Sequence, residues 1–132
     1  MNILICDDNT AFAMQLEKDI SEYFHNPNMN INVVTDHFDQ IEGTYDVIFM
    51  DIELNDKNGI EIAKYHKDKH NCLVIFTSSH ENLVFNTFQV EPFQFIRKNH
   101  YDYDKNIVFK QLKEKLLTLY LSLIHISEPT RH

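Results

Sequence analysis

The chain has 132 residues, room for one compact domain of the usual size of roughly 100–150 residues. Hydrophobic residues make up 43% and charged residues 24%, which excludes a disordered tail, a collagen-like chain and a disulfide framework. Twenty acidic against twelve basic residues leave a net charge of -8, so phosphate backbones and anionic lipid are repelled and neither nucleic acid nor membrane is expected as a partner of this piece.

In chain order, Ile3–Cys6 is the first short, apolar, β-branched run and reads as a buried strand. Phe12, Leu16, Ile20 and Phe24 then recur every fourth residue, an amphipathic helix capped by Asn9 or Thr10 and ended by Asn26-Pro27-Asn28. Ile31–Thr35 is a second strand, and the polar residues 36–42 leave space only for a stunted helix. Val47–Met50 is a third strand. A helix from Ile60 to about Lys69 turns Ile62 and Ala63 inward and Lys64, Lys67 and Lys69 outward. Leu73–Thr77 is a fourth strand, followed by a helix over 81–88 that carries Leu83, Val84 and Phe88. Phe93–Ile96 is a weaker fifth strand, and Val108, Leu112, Leu116 and Leu119 mark a last helix from about Lys105. Strands without alternation are covered on both faces, the mark of a parallel sheet. The β-α repeat therefore predicts an α/β fold: a flavodoxin-like doubly wound five-stranded parallel sheet, order 2-1-3-4-5, with helices on both faces.

No basic region or cleavage signal follows Met1. The most apolar stretch, Leu116–Ile126, is broken by Thr118, Ser122 and His125 and falls short of the roughly 20 residues of a membrane span. Cys6 and Cys72 lie in apolar runs without C-x-x-C spacing and read as structural thiols. A soluble, cytoplasmic protein is the expectation.

In such a sheet the site lies beyond the carboxyl ends of strands 1 and 3, where the strand order reverses. Strand 1 runs into Asp7-Asp8 and strand 3 into Asp51. Two such charges about 5 Å apart repel by roughly 3 kcal/mol at an effective dielectric of 20, so three in one pocket require protons or a cation. Oxygen-only ligands favour Mg²⁺. Strand 4 ends in Thr77-Ser78-Ser79 and strand 5 in Arg97-Lys98, placing a hydroxyl and an ammonium beside the carboxylates. A phosphoryl group on Asp51 would then be held by Mg²⁺, a hydroxyl and a lysine. Nucleotide and flavin sites are set aside, because two glycines provide no phosphate-cradling loop. His66 and His70, four apart on the third helix, lack a third ligand and read as a solvated helix face, with a half-buried His66 the alternative because it falls where the inward stripe wants an apolar residue.

Ile3–Asp8 with its acidic pair, Tyr45–Leu54 around Asp51, Gly59 eight residues later, Ser78, and Phe95 three residues before Lys98 together resemble the receiver domain of two-component response regulators over about residues 1–121. Asp51–Leu54, Gly59–Ala63 and Val74–Phe88 are most similar to regulators of the LytTR type, in which the receiver precedes a DNA-binding domain. The resemblance implies a signalling switch rather than a turnover enzyme. Asp51 would accept a phosphoryl group from a sensor histidine kinase in a Mg²⁺-dependent step, with slow autodephosphorylation. It further implies metal binding by Asp8 and Asp51 directly, by Asp7 through water and by the backbone carbonyl of Glu53. Ser78 and Lys98 would hold the phosphoryl oxygens, and Phe95 would be the aromatic switch. Aligning back from Lys98 selects Ser78, with Thr77 adjacent. A homodimer is an open alternative to a single copy. Asn55 and Asn99 stand where the family commonly has Pro. The rival readings are a Mg²⁺-dependent aspartyl-phosphate phosphohydrolase, disfavoured because strand 1 ends in Asp7-Asp8-Asn9 rather than D-x-D, and a non-phosphorylated receiver-like interaction module. Ser122–His132 breaks the last helix's stripe and looks like an adaptor-derived or linker tail outside the domain 1–121. Transcriptional control would run through a DNA-binding domain absent from this sequence.

Overall fold

The computed structural model describes residues 1–55 and 57–127, with side chains as far as residue 123. The strands are β1 (Asn2–Cys6), β2 (Asn30–Val34), β3 (Val47–Asp51), the two-residue strands β4 (Glu53–Leu54) and β5 (Lys57–Asn58), β6 (Leu73–Ser78) and β7 (Gln94–Arg97). The α-helices are α1 (Thr10–Phe24), α2 (Gly59–Lys69) and α3 (Tyr101–Ser127). The main sheet is parallel throughout, in the order β2-β1-β3-β6-β7. With the small β4-β5 hairpin set aside, this is the 2-1-3-4-5 order read from the sequence.

Each face of the sheet carries its own core. Ile3, Ile5, Val47, Phe49, Ile75 and Ile96 pack under α1 and α3 through Leu16, Ile20, Val108, Phe109 and Leu112. Leu4, Ile48, Met50, Val74 and Phe76 pack on the opposite face against Ile60 and Ala63 of α2 and against Val90. Asn9, rather than Thr10, caps α1 by accepting the Phe12 N–H at 3.1 Å. The stunted second helix is a single 3-10 turn, Phe38–Gln40.

Four expectations change. The β4-β5 hairpin after Asp51 was not legible, because two-residue strands leave no periodicity. The helix expected over 81–88 is a 3-10 segment, Glu81–Val90, that buries Thr87 and Val90 and leaves Phe88 exposed. Three residues per turn align 84, 87 and 90 on one side and put Phe85 and Phe88 together on the other. Asn82, Asn86, Val84 and Thr87 are weak α-helix formers, and the Thr87 hydroxyl donates to the Val84 carbonyl at 2.6 Å. The last helix begins at Tyr101 rather than near Lys105, with Asp102 and Asp104 in the first turn where the helix dipole favours them. His66 is not solvated: it is 5% exposed, on the inward stripe of α2 with Ile60 and Ala63. His70 caps that helix and is exposed.

Among the described residues, no helix is long and apolar enough to cross a membrane. Cys6 and Cys72 are buried and unpaired, and burial pushes their thiols up to about 12 and about 11. The segment of Ser122–His132 beyond Ser127 lies outside the described residues.

A 3-10 segment has poorer hydrogen-bond geometry than an α-helix and is expected to open locally. Amide hydrogen exchange in residues 83–90 should run at least about a hundredfold faster than in β3. Equal protection of the two would show that the segment opens only with the whole domain.

Candidate functional site

β1 and β3 are register partners at the centre of the sheet, and each delivers its acidic residues from a rigid, fully buried strand end. Oxygens of Asp7, Asp8 and Asp51 all lie within 4.8 Å of one another. Asp7 and Asp51 are buried, at 1% and 5% exposure, while Asp8 is half-exposed.

Each carboxylate is oriented by a local backbone donor. Asp7 Oδ1 accepts the Asn9 N–H at 2.8 Å and Asp51 Oδ1 accepts the Glu53 N–H at 3.1 Å. Asp8 Oδ2 accepts the Asn55 N–H at 3.0 Å. That last bond explains a departure seen in the sequence. Asn55 has φ +34°, a region that Asn tolerates and Pro cannot reach, and Pro would have no N–H to offer.

Lys98, at the end of β7, closes the cluster. Its Nζ lies 2.7 Å from Asp7 Oδ2 and 3.1 Å from Asp51 Oδ2, and sits 4.7 Å from the ring centre of Phe12. Asn99 belongs to the 3-10 turn Lys98–His100 that leads into α3, and the lysine spans both carboxylates from there. Arg97 points elsewhere, to Asp104 and Glu81.

One ammonium does not balance three carboxylates. Burial, and next the charge of Asp7, raise the Asp51 pKa from 3.8 to about 6 against the pull of Lys98. For Lys98, burial works against the charge, yet bonds to Asp7 and Asp51 outweigh it and raise its pKa. Asp7 Oδ2 is buried without an aligned hydrogen bond, despite its ionic contact with Lys98. Oxygen-only donors and excess negative charge fit a hard divalent cation such as Mg²⁺.

Ser78 ends β6. Its hydroxyl donates to the His80 carbonyl at 3.1 Å and accepts the His80 N–H at 2.9 Å. Strand alternation puts Ser78 on the face of Val74 and Phe76, and Thr77 on the face of Ile75. Phe95 is half-buried on the Ser78 side, its ring stacked on Phe76 at 6.2 Å. The side chain of Glu53 is turned outward, to the ring of His80. This contact joins residues 27 apart in the chain, and nothing in the sequence signals it. Gly59 is fixed by contact: a Cβ there would lie 1.9 Å from the Asp51 carbonyl oxygen.

A doubly wound sheet with an acidic cluster at its reversal point and a lysine from its last strand is the arrangement of a receiver domain. The family model of the response regulator receiver domain matches residues 3–107, and the chain belongs to that family. It is 32% identical over 101 residues to the transcriptional regulatory protein LytR of Staphylococcus aureus (strain N315), a match covering 74% of this chain and 41% of that protein. Over 110 residues it is 29% identical to the sensory transduction protein LytR of Staphylococcus epidermidis, covering 74% and 40%. The chain thus spans at most about two-fifths of these relatives. Among solved structures, the receiver domain of a DNA-binding response regulator from Colwellia psychrerythraea superposes with a TM-score of 0.70 at 22% identity, over 86% of this chain and 98% of that one. The response regulator TrrA of Thermotoga maritima, determined in complex with Mg²⁺ and a beryllofluoride, gives 0.62 at 21% identity, over 89% and 97%.

A carboxyl whose pKa rises on folding binds its proton more tightly in the folded state, so its contribution to stability is full below about 4 and is lost as pH rises through about 6. In metal-free buffer, Asp51→Asn should therefore raise the melting temperature by a few degrees near neutral pH. The gain over wild type should shrink toward pH 4. A gain independent of pH, or none, would contradict the electrostatic account.

Proposed function

We propose that Asp51 is the phosphoacceptor of this receiver, modified by a sensor histidine kinase, and that the change in charge switches an output. The observation that carries the reading is the under-neutralised cluster of Asp7, Asp8 and Asp51 at the strand-order reversal, bridged by the single ammonium of Lys98.

Asp7, Asp8 and Asp51, with the backbone carbonyl of Glu53, would hold Mg²⁺. When bound, the ion would neutralise the cluster and stabilise phosphoryl charge. An Asp51 carboxylate oxygen attacks the phosphorus of phosphohistidine; a P–O bond forms as the P–N bond breaks, and the imidazole leaves. The Glu53 N–H holds the carboxylate in place through the step. Lys98 transfers its contact from Asp51 Oδ2 to the arriving phosphoryl oxygens, which is positioning and charge stabilisation with little reorganisation. Slow hydrolysis of the acyl phosphate resets the switch, and this is not turnover of a substrate. That TrrA was determined with Mg²⁺ and a beryllofluoride supports the metal assignment.

Ser78 offers the hydroxyl for the new phosphate. To reach it, the hydroxyl must leave the His80 carbonyl, for a stronger charge-assisted bond. Phe95, on the same face, turns into the space released and reshapes the surface formed by residues 81–90, β7 and α3. The output switched through this surface would be transcription, which the name of the transcriptional regulatory protein LytR of Staphylococcus aureus supports. The receiver would end at residue 121, with Ser122–His132 a linker or non-native tail. Beyond Leu116, α3 exposes Leu117, Leu119, Tyr120 and Leu121, which supports a boundary near there.

With a small phosphodonor and Mg²⁺, intact-mass measurement should show one phosphoryl group per chain. Asp51→Asn should abolish it in a folded protein, and excess chelator should reduce it at least about a hundredfold. Uptake by Asp51→Asn at the wild-type rate would defeat the assignment. Ser78→Ala should still be phosphorylated, while NMR shift changes across residues 81–90 and β7 fall by half or more. Undiminished changes would place the coupling elsewhere. Truncation after Leu121 should leave the melting temperature within about two degrees; a drop of several degrees would make the tail part of the domain.

A further inference from the structure

Away from the carboxylate cluster, a groove of about 450 Å³ opens between the 3-10 turn at Phe38–Gln40, β5 and α2. Its size falls in the range of small-molecule sites, roughly 300–1,000 Å³. Phe38, Ile41, Ile62 and Tyr65 supply an apolar lining.

His66 also lines this groove. It occupies a stripe position where an apolar side chain would pack without penalty. It is 5% exposed, and its Nδ1 is buried with no hydrogen-bond partner. The rings of Tyr45 and Tyr65 stand nearly perpendicular to it, with centroids 6.1 and 5.2 Å away, and neither gives Nδ1 a hydrogen bond. Burial, and next the charge of Lys69, lower its pKa, which keeps the imidazole neutral at physiological pH. Nδ1 is wholly covered; Nε2 is not, and among the described residues it makes no hydrogen bond, so it is the atom that a polar group seated in the groove can meet.

The charged groups around the groove indicate the sign of such a group. Asp39 and Glu61 line it, against one ammonium, Lys57. None of the three is in an ion pair among the described residues. The chain as a whole carries -8, so the wider field also favours a cation. We propose that this groove binds a small organic cation with a flat aromatic body, the ring lying against Tyr65 and Ile62, the polar group reaching His66, and the charge balanced by Asp39 and Glu61. The site is separate from the Asp51 pocket and does not depend on phosphorylation.

Tryptamine is a suitable probe, titrated into the ¹⁵N-labelled domain and followed by amide shifts. Saturable shifts centred on residues 38–41, 57–58 and 61–66 are expected. Indole-3-acetate, with the same ring and the opposite charge, should bind at least fivefold more weakly. His66→Phe keeps the ring and removes the nitrogens, and should weaken tryptamine at least fivefold. Should that variant fail to fold, the exposed pair Asp39→Asn with Glu61→Gln decides, with the tryptamine-to-indoleacetate preference expected to vanish. Shifts that are absent or centred elsewhere, equal binding of the two indoles, or undiminished preference in the double variant would each overturn the proposal.

Discussion

The contact of one half-buried ammonium with two buried carboxylates organises this molecule. Lys98 arrives from the last strand and meets Asp7 from the first and Asp51 from the third. Three of the five strands of the main sheet therefore end at the same point, and the strand order places them there. The ion pairs hold Lys98 charged, yet Asp51 keeps a raised affinity for protons because burial and Asp7 together outweigh one lysine. The domain thus folds around a charge imbalance. Such a site is stable enough to form and keeps an excess of negative charge, so further positive charge is favoured there.

The same imbalance gives the switch its leverage. On the proposed reading, a phosphoryl group on Asp51 replaces a carboxylate by a group carrying about one further negative charge, where the surrounding packing is tight. The response is channelled by geometry. Ser78, Phe76 and Phe95 share one face, so a shift of the Ser78 hydroxyl is felt by a half-buried ring rather than by the opposite core. The 81–90 segment beyond it is wound as a 3-10 helix, a form seldom sustained over many residues. Lys67 ties the far end of this segment to α2 by donating to the carbonyls of Val90 and Glu91 at 2.7 and 2.8 Å, and at the near end Glu81 meets the Arg97 guanidinium at 3.4 Å.

Much of this was legible in the amino-acid order. Buried parallel strands leave continuous apolar runs, and carboxylates at the ends of two such runs declare where a site must lie. Ser78 and Lys98 follow the same logic of strand termini. What stayed hidden depends on contacts rather than on periodicity. His66 keeps a helical spacing that suits either water or core, and only the packing of Tyr45 and Tyr65 around it decides. The Glu53–His80 contact joins side chains that carry no mutual signal along the chain. Asn55 was visible as a departure from the family's proline, but its reason is a backbone N–H given to Asp8. The 81–90 segment misled because its apolar residues fit a period of either 3.0 or 3.6, and the Thr87 hydroxyl bond to Val84 favours the tighter turn.

The proposal that Asp51 becomes phosphorylated is tested at the level of the residue by chemical trapping. Borohydride reduces an aspartyl phosphate to homoserine, which peptide sequencing by mass spectrometry locates. After incubation with a small phosphodonor and Mg²⁺, homoserine should appear at position 51 alone, and should be missing when chelator replaces the metal. Homoserine at position 7 or 8, or a phosphoryl group carried by a histidine with position 51 unmodified, would contradict it.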